Sequence, residues 1–64
     1  MPSSREVIAK LKRDGWYEIS PGATSHRQFK HPTKPGRVTV AHPVKDLKPG
    51  TVKSIERQSG LRLR

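Results

Sequence analysis

Sixty-four residues without one cysteine can be held together only by a single small apolar core, because no disulfide or thiolate metal site can supplement it. One domain spanning residues 1–64 is therefore expected. Apolar residues make up only 30% of the chain, but they recur periodically, as in a folded domain and unlike a disordered one.

Ser3 to Asp14 reads as a helix. Ser3 and Glu6 stand in capping-box spacing, Val7, Ile8 and Leu11 form one apolar face, and Gly15 supplies the stop. Trp16 to Ile19 has strand composition and is closed by the turn residues Ser20-Pro21-Gly22. Ser25 to His31 reads as a second strand, followed by the loop Pro32-Thr33-Lys34-Pro35-Gly36. Arg37 to Ala41 alternates with Val38 and Val40 inward, and His42-Pro43 ends that strand. Lys48 to Ser59 reads as a closing helix with Pro49 at its first position, Val52 and Ile55 inward and Gly60 as its C-terminal cap. Leu47 and Leu61 are expected to pin its ends, leaving Arg62 and Arg64 as a solvated tail.

The order predicts an α+β fold, an α-β-β-β-α two-layer sandwich with a three-stranded antiparallel sheet and both helices on one face. The other face is then open. Alternation places Phe29, Arg27 and His31 toward the helices, and His26, Gln28 and Lys30 on the open face. The parity that turns Val38 and Val40 inward turns His42 inward as well.

Fourteen Lys and Arg against five Asp and Glu give a net charge of +9, which attracts polyanions through counterion release and makes nucleic acid the leading partner class. The segment after Met1 lacks the apolar run of a signal peptide or membrane span, so the cytoplasm is the expected location and no membrane partner is expected. The Lys10, Lys12 and Arg13 cluster and the pair Lys53 and Arg57 read as solvated helix faces.

Acid–base chemistry near neutral pH must start from His26, His31 or His42. Parity separates His26 from the other two, so no metal site is expected. Nothing in the sequence calls for a cofactor: nucleophile-elbow and phosphate-loop motifs are absent. What remains is RNA cleavage in which one imidazole takes the 2′-hydroxyl proton, although on composition alone His26 reads first as an exposed strand histidine beside Ser25. Lys30, with Arg27, Gln28, Arg37 and Lys45, would be the candidates for contacting the RNA and its phosphates. His31 and His42, each before a proline at a strand end, read as residues that fix loop geometry. Trp16 and Tyr17 invite a base-stacking reading, but with so few aromatic side chains core packing is the expected use, at least of Trp16.

Gly15-Trp16, Ser25-His26-Arg27-Gln28-Phe29-Lys30-His31-Pro32, Pro35-Gly36-Arg37-Val38-Thr39-Val40, His42-Pro43 and Gln58-Ser59-Gly60-Leu61 together resemble HicA toxins over essentially the whole chain. That resemblance implies a double-stranded-RNA-binding-domain-like fold, endoribonuclease activity on mRNA that arrests growth, and neutralisation by a HicB-like antitoxin. It also implies a catalytic histidine, carried over to His26 in Ser25-His26-x-x-Phe29. One departure is Thr24, where the family commonly has glycine. A β-branched residue resists backbone angles that glycine permits, so the loop entering the second strand is expected to take another path, shifting His26 slightly. A non-catalytic RNA-binding or regulatory module on the same basic surface is the rival reading, and a corepressor component in DNA binding a third.

Overall fold

The computed structural model describes residues 2–19 and 25–63. Helix α1 (Ser4–Arg13), strands β1 (Tyr17–Glu18), β2 (His26–Lys30) and β3 (Val38–Ala41), and helix α2 (Pro49–Ser59) follow one another in chain order. The strands form one antiparallel sheet in the order β1-β2-β3. The expected Ser20-Pro21-Gly22 turn and the Thr24 position lie outside the described residues.

Helix α1 starts where the spacing of Ser3 and Glu6 predicts. Oγ of Ser3 accepts from the Glu6 N–H at 3.1 Å, and the Ser3 N–H donates to Oε1 of Glu6 at 3.2 Å, so two orphan donors are satisfied reciprocally. The helix ends at Gly15, whose φ of +103° is open to glycine at little steric cost. Helix α2 begins with Lys48 as its N-cap and Pro49 in the first turn, and ends on Gly60 at φ +74°.

The first strand is shorter than Trp16 to Ile19. The Trp16 N–H donates to the Leu11 carbonyl at 3.0 Å, which ties this residue to the helix end and directs its ring into the core. Val7 and Leu11 of α1, Trp16, Phe29 of β2, Val38 and Val40 of β3, and Val52 and Ile55 of α2 form one buried cluster, so both helices cover the same sheet face. Full burial of each such side chain contributes about 1.5–3 kcal/mol.

Leu47 joins this cluster, whereas Leu61 is only partly buried against it. The expected solvated tail is corrected at Leu63, which is 3% exposed and whose N–H donates to Oε2 of Glu56 at 2.8 Å. The chain after Gly60 turns back onto the core because one further large apolar side chain is available to cover it. Arg62 is exposed, and Arg64 lies outside the described residues. Among the described residues no helix is long and apolar enough to cross a membrane.

Candidate nucleic-acid interface

Strand register decides which side chains share the open face. Arg27 pairs with Val40 and Phe29 with Val38, so these residues look toward the helices. His26 pairs with Ala41, Gln28 with Thr39, and Lys30 with Tyr17, so these look away. His26 and Lys30 are both exposed. Ala41, opposite His26, is too small to cover the imidazole, and Oγ of Ser25 stands 3.5 Å from Nδ1.

The cations named from sequence divide among three places. Lys30 shares the face of His26, but four strand steps separate them, roughly 13 Å between Cα atoms. Two groups that far apart cannot meet on a single phosphate-sized anion. Arg37 reaches the middle of the same face, where its guanidinium donates to Oε1 of Gln28 at 3.1 Å. Gln28 therefore holds a cation two residues along the strand from His26. Arg27 is on the other face, half-buried, with its guanidinium donating to both carboxylate oxygens of Glu18 at 3.2 and 3.3 Å. Lys45 lies beyond Pro43 and lines a groove with Ser3, Ser4, Arg5 and His42.

The other two histidines are engaged on the helix side. Nε2 of His31 is 2.7 Å from the Asp14 carbonyl, and its Nδ1 accepts from the N–H groups of Thr33 and Lys34, both at 3.1 Å. Since a carbonyl cannot donate and a backbone N–H cannot accept, these partners put the ring proton on Nε2. The ring also meets Trp16 edge-on, with centroids 5.2 Å apart. Nδ1 of His42 is 2.7 Å from Oγ of Ser4, and its backbone N–H donates to the Ser25 carbonyl at 2.8 Å. Among the described residues no three histidine, aspartate or glutamate side chains converge as metal ligands would.

Two features escaped the sequence reading, and it left a third, the place of Tyr17, open. Lys34 donates to Oδ2 of Asp14 at 2.6 Å, and this bond, helped by the Trp16 indole N–H, holds the Asp14 carboxyl below its usual range despite partial desolvation. Lys34 also donates to the Ser59 carbonyl at 3.2 Å, joining the β2–β3 loop to the end of α2. Trp16 is buried, but Tyr17 is 50% exposed. Their adjacency was the available signal, since neighbours in an extended chain cannot face the same side.

A family model described as "HicA toxin of bacterial toxin-antitoxin" matches residues 4–61. A solved chain from a structure titled "HicA3 and HicB3 toxin-antitoxin complex" is 25% identical in sequence. It matches over 97% of this chain and 98% of its own length, with a TM-score of 0.79. No curated protein sequence matches the chain.

Proposed function

This chain belongs to the HicA toxin family, and from that membership we propose that it is a metal-independent endoribonuclease that cleaves mRNA, with His26 as its acid–base residue. The observation that carries the reading is an exposed imidazole on the sheet face turned away from both helices, the same face that presents Lys30 and Arg37.

In this reaction His26 takes the proton from a ribose 2′-hydroxyl. The O2′–phosphorus bond forms, the phosphorus–O5′ bond breaks, and the products carry a 2′,3′-cyclic phosphate and a 5′-hydroxyl. In-line displacement puts the entering and leaving oxygens on opposite sides of phosphorus. One imidazole therefore serves the entering oxygen, and water protonates the departing one. Arg37, held at Gln28, is the cation nearest along the strand for the charge that develops on phosphorus, and Lys30 binds a neighbouring phosphate. A HicB-like antitoxin would neutralise the activity by covering this face, a reading supported by the toxin–antitoxin complex to which the fold is similar.

The test incubates end-labelled single-stranded RNA with wild type and His26→Ala in excess EDTA, after both are shown folded by circular dichroism. Cleavage by wild type alone, with cyclic or 3′-phosphate ends, is the expected result. Equal cleavage by both proteins removes His26 from the chemistry, and binding without cleavage by either makes the domain a non-catalytic RNA-binding module.

A further inference from the structure

We propose that Tyr17 and Lys30 form a nucleotide subsite on the open sheet face: the Tyr17 ring stacks on a base of single-stranded RNA and the Lys30 ammonium holds the adjoining phosphate. The subsite rests on the ribonuclease reading for its relation to His26, although binding there can be measured without cleavage.

Five observations converge on it. Tyr17 and Ile19 are the exposed large hydrophobic side chains among the described residues, at 50% and 38%. Trp16 already fills the core position at this end of the sheet, so the Tyr17 ring is left for the surface. Tyr17 pairs directly with Lys30 across the antiparallel ladder, which brings their Cβ atoms to about 5 Å and sets a cation beside an aromatic ring.

The face is also free of carboxylates. The chain has five acidic residues, and each lies elsewhere. Glu6 is on α1 and Glu56 on α2, Asp14 follows α1, Glu18 turns toward Arg27, and Asp46 is in the loop before α2. A face with Lys30, Arg37 and an open aromatic ring, but no acid, suits a ligand that is both anionic and planar, which is the description of a single-stranded nucleic acid.

The face is polarised as well. Tyr17 and Lys30 stand at one end, Ile19 and Gln28 in the middle, where the Ile19 N–H donates to the Gln28 carbonyl at 2.8 Å, and His26 with Ala41 at the other end. The roughly 13 Å between the Lys30 and His26 Cα atoms puts the stacked base on a different nucleotide from the one cut. The subsite thus selects and anchors RNA without touching the reacting atoms.

The experiment compares a dinucleoside monophosphate, too short to span both ends, with a hexaribonucleotide carrying 2-aminopurine at successive positions. Wild type, Tyr17→Ala, Tyr17→Phe and Lys30→Gln are assayed for cleavage. Binding and fluorescence quenching are measured on the His26→Ala background. Tyr17→Ala is expected to raise the hexamer KM and Kd about tenfold, with kcat within twofold and the dinucleotide unaffected. It is also expected to abolish quenching at one position, which Tyr17→Phe restores. Quenching that persists while wild type cuts nothing would defeat the ribonuclease reading and leave the subsite standing. Unchanged hexamer affinity and quenching in a folded Tyr17→Ala overturns the subsite. So does a Tyr17→Ala effect confined to an acidic protein partner, which would make the face a protein interface.

Discussion

Oγ of Ser4 lies 2.7 Å from Nδ1 of His42, joining the first turn of α1 to the residue that follows β3. The same hydroxyl accepts from the Val44 N–H at 2.8 Å and lies 3.2 Å from the Val44 carbonyl, and Ser4 itself is 1% exposed. Ser4→Ala strands the Val44 N–H in a partly buried place, at about 1–3 kcal/mol. The urea midpoint should fall with the slope unchanged, while RNA cleavage at low temperature stays at the wild-type level.

Gly15 and His31 constrain each other. A Cβ added at Gly15 would stand 2.9 Å from Nε2 of His31, a ring held by three backbone partners and unable to swing aside. Gly15→Ala adds the strain of an alanine at φ +103°, and a loss of about 2 kcal/mol is expected. Differential scanning calorimetry should show the melting temperature falling by roughly 10 °C.

The Asp14 carboxyl is depressed chiefly by its bond from Lys34, so folding favours its ionised form. A group depressed on folding contributes stability that is whole above its unfolded pKa, near 4, and is lost as pH falls through the folded value. Glu6, depressed by its bond from the Ser3 N–H, acts in the same direction. Denaturation curves from pH 5 down to pH 2 should show stability falling, with a shallower fall in Asp14→Asn. An equally steep fall in that variant would move the effect to other carboxylates.

Leu63→Ala should destabilise the fold by about 2–4 kcal/mol, because a buried side chain leaves a cavity. Leu61→Ala, at a partly buried position, should do less. The two guanidinium unfolding midpoints, measured side by side, order the anchors.

Lys30 and Arg27 stand three residues apart on opposite sheet faces. Lys30→Gln should weaken RNA binding and lower the slope of log Kd against log salt by about one unit. Arg27→Gln should leave that slope unchanged and act on stability through its Glu18 pair. Equal slopes for the two variants would show that RNA does not distinguish the faces.

Interactions within a few residues were legible in the sequence. Ser3 with Glu6, Gly15, Pro49 and Gly60 marked the helix ends, since capping depends on groups within one turn. The two-residue period of a strand likewise told that His26, Gln28 and Lys30 share a face, because alternation is a property of the extended backbone alone. Whether Tyr17 stands beside Lys30, where Arg27 finds Glu18, that Leu63 returns to the core, and that Ser4 meets His42 were decided by tertiary structure. Each of those contacts joins residues that no local period relates, and only the packing of both helices on one sheet face brings them together.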